Sequence, residues 1–379
     1  MKITHSSLLI FCLLTGLSTQ ALANDAVFGG TAADLVPIKE KNLKMASEDI
    51  EIIEMAPSKE WDGLRHWQIN ATYTFENPTK KEISATFGFP EMACDEEGDC
   101  NTKGDSRFTF HNMKTSVDGK QVKVSVGKVD KDSKWAPELG QVHMFKVTIP
   151  AGKKVEVVHN YQMGTSGSSM QDEWVSYVTK TGSLWNGPIG SAKFTIKLLR
   201  RPWGFSYPAD YKLKSYETEK DGKHTSIVFA MKNWVPKQDL NLLLGSQFTG
   251  MAKCPPMQQV IWEVYQSEDE PQVDLMDEYF KSMSDADLRK CRNLVYAAHG
   301  YTFKDKKLQK LFYKYQTPVD EEKTRGFWGY SGYNWTEGSK KAVVFAPSSN
   351  YSPDHLTKDE VKWVKAFKAI EKRRKSKKK

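Results

Sequence analysis

The chain has 379 residues, of which 39% are hydrophobic, and a formal net charge of +8 at pH 7. That length allows two or three domains with ordinary cores. Seven positive charges lie in the last eight residues, at Lys372, Arg373, Arg374, Lys375, Lys377, Lys378 and Lys379. The rest of the chain is therefore near neutral, and a basic balance confined to one end excludes a broad nucleic-acid-binding surface.

The N-terminus opens with Met1-Lys2, continues through an apolar run from Leu8 to Leu17, and reaches Ala21-Leu22-Ala23. A short positive region, an apolar stretch and small residues at −3 and −1 predict a signal peptide over 1–23, cut near Ala23. A run of about ten apolar residues is too short to span a bilayer, which needs roughly 20. The expected location after cleavage is periplasmic or secreted, with no transmembrane segment.

Cys12 leaves with that peptide; Cys94, Cys100, Cys254 and Cys291 remain. An even number in an oxidising compartment predicts disulfides, with three pairings open. A Cys94–Cys100 bridge would staple an acidic hairpin tip, and Cys254–Cys291 would then tie the β-rich part to the helical part. The spacing lacks a CxxC pair with a nearby His, so no metal is expected.

From Glu48 to about Trp262 the pattern is that of strands. Between His66 and Asn77, the residues Trp67, Ile69, Ala71, Tyr73 and Phe75 alternate with mostly polar ones, which places all five on one face. Ile83–Phe89 is a candidate partner ended by Pro90. Phe108–Val117 turns at Asp118-Gly119 into Gln121–Val126, a strong hairpin signal. Val142–Ile149, Pro150-Ala151-Gly152 and Val155–Met163 repeat that pattern. Val175–Thr179, Lys193–Leu199, Ser226–Met231 and Leu240–Gln247 follow.

Past Gln266 the pattern changes. Ser267-Glu268-Asp269-Glu270-Pro271 reads as a linker. Ser284 with Asp287 predicts a helix start, and Leu288, Cys291, Leu294, Val295 and Ala298 recur at helical spacing. Gly300 is a stop. Asp305 is a second cap, before Leu308, Leu311 and Phe312. Thr357 with Glu360 forms a capping box for a last helix, on which Val361, Val364, Phe367 and Ile370 make an apolar stripe.

The expected organisation is α+β. A signal peptide (1–23) precedes a β-rich region (24–266) of one sandwich or two in tandem. A linker (267–273), a small α-helical domain (274–372) and a basic tail (373–379) follow.

The run Leu288-Arg289-Lys290-Cys291-Arg292-Asn293-Leu294-Val295-Tyr296-Ala297-Ala298-His299-Gly300-Tyr301-Thr302-Phe303 resembles the YARHG domain, an extracellular bacterial module named for its motif. Here Ala298 stands where the motif has Arg. The resemblance implies an exported location and a fold more than a chemistry. The text Met45-Ala46-Ser47-Glu48-Asp49-Ile50, Phe89-Pro90 and Thr181 to Gly190 is similar to a second exported bacterial family of unknown function, over about 24 to 250.

His299 admits two readings: a ligand-facing or proton-transferring imidazole, or a ring bonded to a carbonyl at a helix end, which is preferred. Tyr296, three residues earlier, lies on the same helix face. Tyr301 completes the motif text. Gly326 to Trp335 carries Trp328, Tyr330 and Trp335 among glycines, a segment suited to stacking on sugar faces or peptides, or to folding back on the helical core. Lys372, Arg373, Arg374 and Lys375 form a basic patch. No HExxH, P-loop, dinucleotide fingerprint or complete nucleophile elbow occurs. The reading is a non-enzymatic envelope module without a cofactor. Its candidate partners are peptidoglycan, anionic lipid or another envelope protein. A hydrolase with an unrecognised acid/base site is the alternative.

Overall fold

The computed structural model describes residues 25–31, 34–61, 63–92, 110–134, 139–167, 173–221, 224–246, 254, 257, 280, 283–313, 317–318, 340–343 and 345–377. The signal peptide, Cys94 and Cys100, the linker, and Trp328, Tyr330 and Trp335 lie outside the described residues.

The alternation between His66 and Asn77 sets the architecture. Trp67, Ile69, Ala71, Tyr73 and Phe75 are all buried on one face of the strand His66–Glu76. The residues between them are half-exposed on the other face. That strand is central in an eight-stranded sheet, in the order Leu213–Thr218, Thr225–Trp234, Ile189–Leu198, Lys44–Met55, His66–Glu76, Lys154–Gly164, His111–Val117 and Lys120–Gln121. All neighbours are antiparallel except Lys44–Met55 and Ile189–Leu198, which run parallel.

Two smaller sheets cover the apolar face side by side. The five-stranded one runs Asp34–Ile38, Ala26–Thr31, Ile83–Met92, Leu139–Ile149 and Ser125–Lys128; the six-stranded one runs Ser166–Gly167, Glu173–Tyr177, Leu240–Leu244, Phe205–Pro208, Lys340–Val343 and Thr317–Pro318. Phe75 packs edge-on against Phe87 of the five-stranded sheet at 4.8 Å, and Phe229 meets Tyr207 of the six-stranded sheet at 5.0 Å. A single aromatic-rich core joins all three sheets. The expected sandwiches are thus two roofs over one shared floor. On the far face of that floor, Lys193 pairs with Asp49 at 3.4 Å and Lys197 with Glu51 at 2.5 Å.

The turn at Asp118-Gly119 forms as the sequence predicts. Both residues have positive φ, 47° and 74°, and Val117 sits opposite Lys120, the geometry of a two-residue type I′ turn. The return strand is only Lys120–Gln121, however, and Ser125–Lys128, part of it read as the same strand, joins the five-stranded sheet instead. Pro150-Ala151-Gly152 acts differently. Leu139–Ile149 pairs with Ile83–Met92 and Ser125–Lys128, whereas Lys154–Gly164 pairs with His66–Glu76 and His111–Val117. The turn therefore carries the chain from roof to floor and makes no hairpin. Pro90 does not end its strand, which continues to Met92. It lies beyond the described register with Ala26–Thr31, which reaches Gly88, so its missing N–H breaks no ladder bond there.

In the C-terminal part, the described residues include the helices α1 (Asp285–Ala298), α2 (Lys306–Phe312) and α3 (Lys358–Lys377). They enclose a second core of Leu288, Leu294, Phe303, Phe312, Trp363 and Phe367, which Trp203 of the β-rich part enters. This part is not purely helical. Its strand Lys340–Val343 pairs with Phe205–Pro208 and so completes the six-stranded sheet. The Cys254–Cys291 disulfide pins α1 to the chain leaving the β-rich part. Arg201 adds a third tie, donating to Thr218 Oγ1 at 2.9 Å and to the Ala346 carbonyl at 2.8 Å.

Candidate functional site

The end of α1 brings the motif residues together. Ser284 caps the start, its Oγ accepting from the Asp287 N–H at 3.1 Å. At the other end the Gly300 N–H donates to the Ala297 carbonyl and the Tyr301 N–H to that of Tyr296, both at 3.0 Å. These are the paired bonds of a Schellman stop, which needs a left-handed residue, and Gly300 has φ of +81°. A Cβ there would stand 2.7 Å from Ser348 Cβ and 2.9 Å from Ser348 N. Gly300→Ala is therefore expected to cost about 1–2 kcal/mol from the backbone alone, and more from the clash. Urea unfolding measures this, and a loss below about 0.5 kcal/mol would contradict the close fit.

The turn aims His299 at α3. Its Nε2 lies 2.8 Å from Glu360 Oε2, and the Glu360 side chain is fully buried. The same carboxylate accepts from the Thr357 N–H at 2.7 Å, while Thr357 Oγ1 accepts from the Glu360 N–H at 3.2 Å. The capping box read from sequence is therefore present, and its glutamate also orients the motif imidazole. The partner of His299 is a carboxylate, where the sequence favoured a carbonyl. Burial pushes the Glu360 carboxyl up, but the bond and charge of His299 with the Thr357 N–H hold it below its usual 4.5. A lowered carboxyl contributes stability that is present above about pH 4.5 and is lost as pH falls through its folded-state value. The stability difference between the protein and Glu360→Gln should accordingly be largest near neutrality and close towards zero in acid. A difference constant with pH would disprove the coupling.

An aromatic cluster is built on the residue that follows Gly300. Tyr301 lies 5.9 Å from Tyr296, 5.0 Å from Phe303 and 5.1 Å from Tyr351, measured between ring centroids. Tyr351 is 6.3 Å from His355. Burial, with Tyr296 and Tyr301 beside it, pushes the Tyr351 phenol to about 12, so it stays a hydrogen-bond donor at every physiological pH. Burial and then the neighbouring His299 lower His355 from its usual 6.5. Tyr301 is 37% exposed and forms the outer edge of the cluster. The arrangement offers stacking surface with imidazole and phenol groups set around it. Tyr351 and His355 have no sequence signal, because they reach the motif only through the fold. Among the described residues, no group of three His, Cys, Asp or Glu is arranged to hold a metal ion.

A second constellation lies in the first core. Thr115 Oγ1 is 2.9 Å from His159 Nδ1, and His159 Nε2 is 3.2 Å from both oxygens of Asp25. Hydroxyl, imidazole and carboxylate follow the order of a nucleophilic triad. All three residues are 2% exposed or less, however, and Phe89 stacks on the imidazole at 4.3 Å. No substrate carbonyl reaches Thr115 there, so the set acts as an internal polar tie. The Trp185 Nε1–H donates to the Asp25 carbonyl at 3.1 Å and anchors the same point. His143 and Glu91 make a second buried pair at 2.6 Å.

The basic residues are placed along α3, which runs through to Lys377. Lys372, Arg373 and Lys375 are exposed. Arg374 turns inward, donating to the carbonyls of Met283 and Phe280 at 2.6 Å each. It thereby holds the entry to α1.

Residues 265–327 match the model of the YARHG domain, and residues 23–134 match a domain of unknown function, DUF4424. No curated protein matches the chain. A solved structure from Legionella pneumophila, described as a candidate nutrient-binding protein, is 21% identical over 91% of this chain and 99% of its own, with a TM-score of 0.48. An M1 zinc metallopeptidase from Deinococcus radiodurans is 12% identical over 55% of this chain and 43% of its own, with a TM-score of 0.27. This chain thus spans less than half the length of that peptidase.

Proposed function

We propose that this chain, with its YARHG and DUF4424 domains, is an exported protein of the bacterial cell envelope whose role is binding or structural. The observation that carries the reading is the Cys254–Cys291 disulfide, buried within the second core. Such bridges persist in oxidising compartments and are rare in the cytosol. No helix among the described residues is long and apolar enough to cross a membrane. The motif corner supports the binding half of the reading. Its stacking edge at Tyr301 and Tyr351 is held by the turn at Gly300 and by the His299–Glu360 pair. Flat aromatic rings with nearby donors suit the faces of sugars or the side chains of wall peptides.

Co-sedimentation of the mature protein with purified peptidoglycan sacculi tests this. Saturable binding that survives high salt and weakens in Tyr301→Ala is the expected result. Absence of binding would remove the wall as partner and direct the search to another envelope protein. Release of soluble wall fragments would replace the reading with that of a hydrolase.

A further inference from the structure

One face of α3 carries a row of lysines. Val364, Phe367 and Ile370 face the second core, and the exposed positions opposite them include Lys358, Lys362, Lys365, Lys368, Lys372 and Lys375. These are spaced by three or four residues, so they follow one side of the helix over about 26 Å at 1.5 Å per residue. The acids of α3 do little to offset them. Glu360 is buried against His299, and Glu371 is turned to Arg292. Asp359 stands 3.6 Å from Lys362. Six lysines thus face one carboxylate along the row, on a chain whose charge is otherwise near balance.

We propose that this face docks the protein on an anionic lipid bilayer. Charge complementarity argues for that occupant, and the residue type argues for its diffuse character. Lysine is a point charge on a flexible stem, suited to a fluid layer of phosphates, whereas recognition of one fixed phosphate favours the arginine fork. The one arginine of α3 that forms such a fork, Arg374, is already committed to backbone carbonyls. Because the apolar side of α3 is held in the core, the helix adheres through charge and does not insert. The inference rests on the envelope reading only for where the protein meets a membrane.

The test is sedimentation of the full mature chain with phosphatidylcholine vesicles, with and without phosphatidylglycerol. Binding should require phosphatidylglycerol and fall steeply with salt. Each lysine near such a surface strengthens binding about fivefold, so Lys365→Gln/Lys368→Gln/Lys372→Gln should weaken it about 100-fold. Lys80→Gln/Lys81→Gln/Lys120→Gln, which changes net charge equally on exposed sites of the β-rich part, should retain most of it. Equal binding to neutral vesicles, equal loss in the two triple variants, or no binding would each overturn the proposal. Inorganic phosphate displacing the protein at concentrations where chloride of equal ionic strength does not would also overturn it, in favour of a discrete phosphate site. Failure to bind sacculi would leave it standing.

Discussion

Replacing His159 with phenylalanine is expected to lower the stability of the β-rich part by about 3–5 kcal/mol, the usual cost of leaving a buried carboxylate without its partner. Phenylalanine preserves the ring that stacks on Phe89, so the loss reports the charge and hydrogen bonds and leaves packing little changed. It leaves Asp25 sealed with neither imidazole nor water. Two further results identify that cause. Adding Asp25→Ala should recover at least half of the loss, because the orphaned carboxylate is gone. Lowering the pH should also shrink the deficit. Burial is the largest influence on Asp25 and raises its carboxyl above 3.8, against the opposing pull of His159. A raised carboxyl contributes stability that is complete below its unfolded value and is lost as pH rises through its folded one. A loss below about 1 kcal/mol in urea unfolding, or one that grows in acid, would refute the account.

The second large effect belongs to the disulfide. Cys254 and Cys291 are 37 positions apart, and a closed loop of that size restricts the unfolded chain by about 4 kcal/mol. Cys291→Ala, Cys254→Ala and the double variant should all lose nearly the same amount, since each removes one bond and they cannot add. Reduction of the unmodified protein should do likewise. An unchanged unfolding midpoint under reductant would show that the packing of the second core around α1 suffices without the bridge.

How much of this could be read beforehand depended on how local each signal was. The strand His66–Glu76 was legible because alternation states both its type and its buried face. The turn at Asp118-Gly119 was legible because a two-residue loop with two positive φ angles admits few residues. Pro150-Ala151-Gly152 was misleading. Its residues reverse a chain equally well between neighbours in one sheet or between two layers, and the pairing partners that decide lie far away in sequence. Lys340–Val343 is four residues long and gave no period in a region patterned for helices. Its strand exists because Phe205–Pro208 offers an edge. In the motif corner the caps at Ser284, Asp305 and Thr357 were legible, each being a three-residue pattern. The bond from His299 to Glu360 was not, since 61 positions separate them. Arg374 looked like one more charge in a basic run, and only the approach of the carbonyls at Phe280 and Met283 distinguishes it.

The six-stranded sheet has a consequence for how the molecule is made. Its member Phe205–Pro208 receives its outer neighbour from Lys340–Val343, more than 130 positions later. A chain emerging from its N-terminus exposes that edge until nearly the whole protein has been synthesised. The floor adds to the delay, because the parallel pairing of Lys44–Met55 with Ile189–Leu198 also waits for distant residues. Nascent forms therefore carry open ladders of unpaired amides, the kind of edge that recruits other chains. Such a protein should depend on holding factors while it is being made, and versions lacking the last 40 or so residues should aggregate more readily than the full chain.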